Sequence, residues 1–251
     1  MKTAVVTGAS RGLGEAIAKQ LLERGIQVIG VARKNSDNLS SYEGMDNASY
    51  TYRYGDLQDT AACEKDFEYL AEDIFTKADD TVYLINNAGV VGPIATTDSY
   101  SLSEWEAHMA INLTAPMLAC STFLKYAKTY NIPLVIVNVT SGAAERSVHG
   151  WSAYSTSKAG LNRYTETVAL EEAEAGTGNI AIAYNPGIMN TDMQADIRSS
   201  EPEQFQEVQK FKDYVTNKSL RDPMFVAGVL ADILTGSEIE NGKRYAVKDY
   251  V

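Results

Sequence analysis

Two side chains that can carry proton chemistry stand four residues apart in the sequence, Tyr154 and Lys158. That spacing places both on one face of a predicted helix. A free tyrosine supplies little phenolate at neutral pH, and a nearby ammonium lowers its pKa. The pair suits a general acid for carbonyl reduction, with Ser141 holding the same oxygen by a hydrogen bond. A tyrosine and a lysine at this spacing are usually structural when they occur alone, so the rest of the sequence must decide.

A further clue lies in the preceding helical pattern, where Pro116 follows Asn112 by four residues. Proline has no N–H, so the Asn112 carbonyl loses the partner that an α-helix would give it. We expect this carbonyl to find another partner, such as water. An ordinary proline kink with a capping asparagine is the alternative interpretation.

The chain opens with a short β-branched run that leads into Thr7-Gly8-Ala9-Ser10-Arg11-Gly12-Leu13-Gly14 and then a helical pattern. Glycines in such a turn let backbone N–H groups approach a pyrophosphate at the N-terminus of the helix. A glycine-rich run alone is weak, but here it follows a strand and opens a helix. The pattern therefore predicts dinucleotide binding.

The choice of nicotinamide cofactor depends on Arg33, which stands nineteen residues after Gly14 and is followed by Lys34. NAD enzymes usually place a carboxylate there for the ribose 2′-hydroxyl. A guanidinium instead binds a 2′-phosphate, and Arg11 adds a second cation. The predicted cofactor is NADP(H), the alternative being that Arg33 is a solvated charge at a strand end.

The elements that must position these groups alternate between strand and helix along the whole chain. The predicted strands are Thr3–Thr7, Gln27–Val31, Tyr50–Tyr54, Thr81–Asn86, Pro133–Thr140, Asn179–Tyr184 and Arg244–Val247. The predicted helices are Gly12–Arg24, Thr60–Lys77, Ser103–Tyr130, Ala153–Ala175 and Pro223–Leu234. This order predicts an α/β fold: a doubly wound parallel seven-stranded sheet (Rossmann fold) with helices on both faces, in a single domain over residues 1–251.

Two stretches interrupt the alternation. Lys34–Ser49 is rich in Asn, Ser, Asp and Gly and is typical of a loop. Asn190–Arg221 contains polar helical fragments around Glu203–Val215. Insertions after strands of α/β folds often cover a substrate, so residues 190–221 are the predicted substrate lid, with a solvated excursion as the alternative.

The motifs together resemble the short-chain dehydrogenase/reductase family, in order and over the whole chain. They are Thr-Gly-x-x-x-Gly-x-Gly from Thr7, Asn86-Asn87-Ala88-Gly89, Asn112, Ser141 with Tyr154-x-x-x-Lys158, and Pro186-Gly187 leading into Thr191-Asp192-Met193. The resemblance implies that Asn112, Ser141, Tyr154 and Lys158 are catalytic, Asn112 by anchoring a water that links the lysine to solvent. It implies that Asp56 and Leu57 contact the adenine, although an Asp at a strand end is often only a helix cap.

The cofactor-binding residues proposed on these grounds share the carboxyl end of the sheet. They are Gly8, Ser10, Arg11, Gly12, Leu13, Gly14, Arg33, Asp56, Leu57, Asn87, Ala88, Gly89, Tyr154, Lys158, Pro186, Gly187, Met189 and Thr191. The candidate substrate residues are Ser141, Trp151, Tyr154 and Met193. Trp151 suits either a stacking wall for a flat substrate or the core. We interpret His149 as a loop residue near the pocket.

Several segments around Ser141, Trp151, Ala169 and Asn190 are similar to the sepiapterin reductase branch, and most of all to bacterial benzil reductases that form (S)-benzoin. The resemblance implies reduction of an α-diketone or of a pteridine side-chain carbonyl. Sepiapterin reductases hold the pterin on an acidic residue four positions after a glycine near the C-terminus. The position four after Gly242 is Ala246 here, while Asp249 is out of register, which favours a diketone.

Composition excludes several other classes of protein. The 251 residues carry a net charge of −11 with no block of Lys or Arg, so nucleic acids and anionic membranes are poor partners. We see no apolar run near the roughly 18 to 20 residues that cross a bilayer. The two cysteines and two histidines form no familiar disulfide or metal pattern, and we expect a reducing cytoplasm.

Two further expectations concern assembly and class. The family resemblance implies a homodimer built on the helices at Ser103–Tyr130 and Ala153–Ala175. A fold of this kind also serves non-catalytic NADP-binding sensors. Such proteins typically lose the tyrosine or the lysine, and both are present here, so an enzyme is the favoured interpretation.

Overall fold

The computed structural model describes residues 1–45, 48–236 and 238–250. They form one parallel sheet of seven strands in the order β3-β2-β1-β4-β5-β6-β7. The strands are β1 (Thr3–Thr7), β2 (Gln27–Ala32), β3 (Tyr50–Tyr54), β4 (Val82–Asn86), β5 (Leu134–Val139), β6 (Ile180–Asn185) and β7 (Arg244–Ala246). The predicted fold class is confirmed, with each strand end within one residue of its predicted position.

Helices cover both faces of the sheet. They are α1 (Gly12–Leu22), α2 (Thr60–Phe75), α3 (Leu102–Met109), α4 (Ala115–Tyr130), α5 (Ser152–Glu174), α6 (Asp192–Arg198), α7 (Val208–Thr216) and α8 (Pro223–Thr235). Helices α1 and α8 share one apolar cluster with the sheet, and α2, α4 and α5 share another on the opposite face. Because both faces are covered, every residue of β4 and β5 is buried.

The long helix predicted over Ser103–Tyr130 is interrupted. Between α3 and α4 the backbone forms one π-helical turn, Ala110–Thr114, in which the Ala115 N–H bonds to the Ala110 carbonyl. Pro116 then stands in the first turn of α4, where a missing N–H is tolerated. Pro116 is therefore preceded by a π-helical turn, which is wider than an α-helical turn and contains Asn112.

The same stretch, Leu102–Tyr130, is long and apolar enough, by length and composition only, to cross a membrane. This finding corrects the expectation that the chain has no such apolar stretch. In the structure its α4 part packs against α2 and against the sheet, as a core helix does. Loop Lys34–Ser49 holds a short 3-10 turn at Ser40–Tyr42, and its residues 46 and 47 lie outside the described ones.

Residues 190–221 leave the sheet after β6 and carry α6 and α7. This segment is called the lid segment after its predicted role. Its base is closed by a parallel bridge between Met189, which directly precedes it, and Arg221, its last residue. Its apolar residues Ile197, Phe205, Val208 and Phe211 form a third cluster with Trp151 and Tyr154. The lid segment is thus packed onto the start of α5, close to the predicted catalytic tyrosine.

Candidate active site

The glycine loop lies where the strand order reverses, between β1 and β4, at the carboxyl ends of these strands. Gly8 and Gly12 adopt positive φ, at 70° and 59°. A Cβ on Gly14 would overlap the Gly8 carbonyl oxygen and the Asn87 side chain. Asn87 donates from Nδ2 to the Thr7 carbonyl at 2.9 Å, so the turn that follows β4 is tied directly to the glycine loop.

The start of α1 offers the backbone groups that a pyrophosphate needs. Arg11 occupies the N-cap, and within the described residues no side chain caps this helix start. The first-turn N–H groups of α1 are therefore available to an anion. Ser10 and Leu13 lie in the same turn, and the glycines leave room for close approach. These features fit a dinucleotide of the nicotinamide class.

The two arginines predicted to bind the 2′-phosphate differ in their surroundings. Arg11 donates from Nη1 to Asp192 of α6 at 2.6 Å, with both side chains exposed. Arg33 is exposed just after β2, and among the described residues no carboxylate forms an ion pair with it. The guanidinium of Arg33 is therefore open to solvent, whereas Nη1 of Arg11 is engaged by Asp192.

The predicted adenine pair, Asp56 and Leu57, follows β3. Asp56 accepts a bond from the Gln58 N–H at 3.1 Å, which is a local turn. The cap of α2 is Asp59, which accepts from the Ala62 N–H, so Asp56 is not the helix cap that was its alternative interpretation. Leu57 is buried in the core beside α2.

Ser141, Tyr154 and Lys158 meet between the end of β5 and the start of α5. Ser141 Oγ accepts from the Ala143 N–H at 3.2 Å, and the Ser141 side chain is close enough to Tyr154 to act on its pKa. Lys158 is buried, donates from Nζ to the Val139 carbonyl at 2.9 Å, and lies 6.0 Å from the centre of the Tyr154 ring. Burial lowers the pKa of Lys158 to about 8.

The direction of the tyrosine shift differs from the sequence expectation. Burial raises the pKa of Tyr154 above its ordinary value, and the hydrogen bond with Ser141 only partly opposes this. The expected lowering by the Lys158 ammonium is therefore wrong for the protein alone, because desolvation of the phenolate outweighs it. A tyrosine that keeps its proton is the form that a general acid for reduction requires.

Asn112 reaches the site through its side chain. Its Oδ1 accepts from the Val90 N–H at 2.8 Å and its Nδ2 donates to the Val90 carbonyl at 2.7 Å. A Cβ on Gly89 would lie 3.2 Å from Asn112 Oδ1 and 3.5 Å from Lys158 Nζ. Glycine at position 89 therefore keeps open the space between Asn112 and Lys158. The sequence argument concerned the backbone carbonyl of Asn112, whereas the contacts with Val90 are made by its side-chain amide.

His108 is a site residue that the sequence interpretation missed. It is 1% exposed, and its ring contacts the Gly92 carbonyl, the Ser157 hydroxyl and the Asn112 amide. Its ring lies edge-on to that of Tyr154, with centroids 6.3 Å apart. The signal that was available is its position four residues before Asn112 on the same helix. His149, in contrast, is exposed.

Trp151, which directly precedes α5, belongs to the apolar cluster that the lid segment forms with the start of α5. It is 4% exposed, stacks on Phe205 and meets the Tyr154 ring edge-on at 5.3 Å between centroids. This packing is what the core interpretation expects, and the role of Trp151 toward a substrate stays a prediction. Met193 is partly buried against the same cluster.

The last predicted cofactor residues follow β6. Gly187 has φ 69°, and its N–H bonds to Asn185 Oδ1. Met189 forms the bridge at the base of the lid segment, and the Thr191 methyl lies 3.6 Å from where a Cβ on Gly12 would be. The strand exit that begins at Pro186 thus passes directly beside the glycine loop.

Near the C-terminus, Asp249 and Ala246 line a small cavity of about 140 Å³ together with Ser141, Asn185 and Arg244. Asp249 and Ser141 therefore line the same cavity, although the spacing of Asp249 from Gly242 departs from the pterin-binding pattern.

Comparison with known proteins agrees with this geometry. The family described as short chain dehydrogenase matches residues 2–202. The chain is 38% identical over 251 residues to the benzil reductase ((S)-benzoin forming) of Bacillus subtilis strain 168, covering both chains fully. It is 35% identical over 243 residues to that of Bacillus cereus, covering 97% of this chain and 98% of that protein.

Among solved structures, that of the KRED1-Pglu enzyme superposes with a TM-score of 0.82 at 32% identity, covering 97% of this chain and all of the other. The fold, the order of the motifs and these relatives lead to one conclusion: the chain is an oxidoreductase that belongs to the short-chain dehydrogenase family.

Proposed function

We propose that the protein is an NADPH-dependent carbonyl reductase that acts on α-diketones of the benzil type. The observation that carries the proposal is a buried Tyr154 whose raised pKa keeps its proton, in one apolar cluster with Trp151 and with Phe205 and Phe211 of the lid segment. An apolar enclosure suits a substrate with aromatic rings, and the benzil reductase relatives support that class.

NADPH, when bound along the glycine loop, supplies the hydride that reduces the carbonyl carbon. Ser141 holds the carbonyl oxygen, and Tyr154 gives it a proton, so that the ketone becomes a hydroxyl group. The phenolate that remains is stabilised by the Lys158 ammonium, which stands behind the ring. To restore the general acid, Lys158 gives a proton toward the Tyr154 phenolate and regains one from solvent through the space that Asn112 borders, where the Asn112 side chain holds Val90.

The cofactor choice, assembly and location are part of the same proposal. Arg33 and Arg11 would bind the 2′-phosphate. The other residues of the glycine loop would bind the pyrophosphate. We propose a homodimer on the outer faces of α4 and α5, working in the cytoplasm on a small-molecule carbonyl substrate.

The test is the rate of NADPH oxidation, measured by absorbance, with benzil and in parallel with sepiapterin. We expect benzil turnover, and expect Tyr154→Phe to lose nearly all of it while still binding NADPH. Full turnover by Tyr154→Phe would contradict the general-acid role. No turnover of any dicarbonyl, with NADPH bound, would favour a non-catalytic sensor.

A pteridine reductase is the second candidate, because Asp249 borders the cavity that also touches Ser141. Efficient reduction of sepiapterin that is lost in Asp249→Asn would favour it. Reduction of benzil alone would support the diketone assignment.

A further inference from the structure

His108 lies on α3 one helical turn before Asn112 and faces the inside of the site. Its Nδ1 is 2.6 Å from the Gly92 carbonyl oxygen. Its Nε2 is 3.0 Å from Ser157 Oγ and 2.9 Å from Asn112 Nδ2. Nδ1 thus has one defined partner and Nε2 has two.

These partners determine which nitrogen carries the proton. Val90 contacts both ends of the Asn112 amide, since its N–H donates to Oδ1 and its carbonyl accepts from Nδ2. That arrangement fixes Nδ2, a donor, on the side of His108. Nε2 must therefore accept, while Nδ1 must donate to the Gly92 carbonyl. The Ser157 hydroxyl is free to donate to the Tyr154 carbonyl, 2.9 Å away.

We propose that His108 is a positioning residue that holds the Asn112 amide in place as a neutral, Nδ1-protonated imidazole. The proposal deepens the function proposed above, because it assigns to His108 the orientation of a residue in the proposed proton path. If Nε2 were protonated, two donors would face each other and Asn112 would be released from this orientation.

The groups around the ring favour the neutral form. The charged group that faces His108 is the Lys158 ammonium of α5; α5 also presents Tyr154, while the segment after β4 presents only backbone groups. Among the described residues no carboxylate pairs with the ring. Burial lowers the pKa of His108, Lys158 lowers it further, and the Gly92 and Ala153 carbonyls only partly oppose this.

The first test needs neither cofactor nor substrate. Nitrogen-15 correlation spectra of histidine-labelled protein would show two imidazoles, since the chain has two histidines. The exposed His149 serves as the internal reference, assigned with His149→Asn. We expect the His108 ring to show the neutral Nδ1–H form at neutral pH. An Nε2–H tautomer, or a doubly protonated His108 ring at neutral pH, would overturn the proposal.

The second test separates positioning from a merely structural role. His108→Leu leaves the Asn112 N–H without an acceptor, and we expect kcat to fall roughly tenfold, with the KM for NADPH changed less than about twofold. His108→Gln, whose Oε1 can accept from Asn112, should recover most of that loss. In an Asn112→Ala background, His108→Leu should lower kcat no further.

Additive losses in the double variant would overturn the proposal, as would an equal loss in His108→Gln and His108→Leu. A wild-type protein that reduces no dicarbonyl would contradict the proposed function instead, and the spectra would still decide the state of His108.

Discussion

Trp151 lies stacked on Phe205, with ring centroids 4.8 Å apart and planes inclined by 21°. The same indole meets the Tyr154 ring at 5.3 Å, so one side chain joins the lid segment to the proposed general acid. Glycine at position 150 allows the lid segment to approach this closely, because a Cβ there would overlap the Gln204 carbonyl oxygen. The lid segment and the start of α5 therefore pack as one unit.

This packing predicts the effect of Phe205→Ala. Phe205 is fully buried, and its removal leaves a cavity beneath Trp151 that costs about 3 to 5 kcal/mol of unfolding free energy. We expect the loosened lid segment to raise the KM for benzil more than it lowers kcat. Steady-state kinetics and thermal unfolding would measure both effects.

Val215→Ala is the matched control, because Val215 is an exposed apolar residue of α7. It should change neither quantity appreciably. Equal kinetic constants in Phe205→Ala and the wild type would show that the lid segment does not shape the substrate site.

A second prediction concerns the close approach inside the glycine loop. Gly14→Ala places a methyl group on the Gly8 carbonyl and the Asn87 amide, so we expect NADPH affinity to fall by at least about tenfold. Gly228→Ala is the control on α8, where the nearest atom to a new Cβ is 3.7 Å away. NADPH titration followed by fluorescence would compare the two. Unchanged affinity in Gly14→Ala would contradict the role of this loop.

The fold could be predicted because the information is local. Strands such as Leu134–Val139 are buried on both faces and therefore show continuous apolar runs, and the helices between them keep their own period. The π-helical turn at Ala110–Thr114 was not predicted, although Pro116 pointed to it. A missing N–H shows that a helix must change, but does not show which hydrogen-bond pattern replaces it.

The site was predictable where residues lie close in sequence and not where they meet from a distance. Tyr154 and Lys158 share a helix, so their spacing was enough. The partners of His108 lie sixteen and forty-nine residues away at Gly92 and Ser157, and no pattern in the sequence joins them. The pKa of Tyr154 likewise depends on burial, which composition does not reveal.

The pKa of Lys158 predicts the alkaline limit of the reaction. Burial lowers it to about 8, so the ammonium is present below that pH and is lost as the pH rises through it. Because the ammonium stabilises the Tyr154 phenolate, we expect kcat for reduction to fall above about pH 8. Tyr154 itself, whose pKa is raised, stays protonated over this range.

The measurement is kcat with saturating NADPH and benzil at a series of pH values from neutral to alkaline. Lys158→Met should lower kcat and remove the dependence near pH 8. A dependence that persists unchanged in Lys158→Met would assign the titration to another group.

The cofactor preference depends on Arg33. A 2′-phosphate is doubly charged near neutral pH, so Arg33→Asp replaces attraction with repulsion and should shift kcat/KM from NADPH toward NADH by roughly a hundredfold. Lys34→Asp changes the net charge equally at the neighbouring exposed position and should shift the preference much less. Initial rates with both cofactors would measure the ratio. If the preference for NADPH survived in Arg33→Asp, Arg11 would have to supply the contact, in competition with its ion pair to Asp192. Asp192→Asn would then raise the affinity for NADPH, whereas little change is expected if Arg33 is the main ligand of the 2′-phosphate.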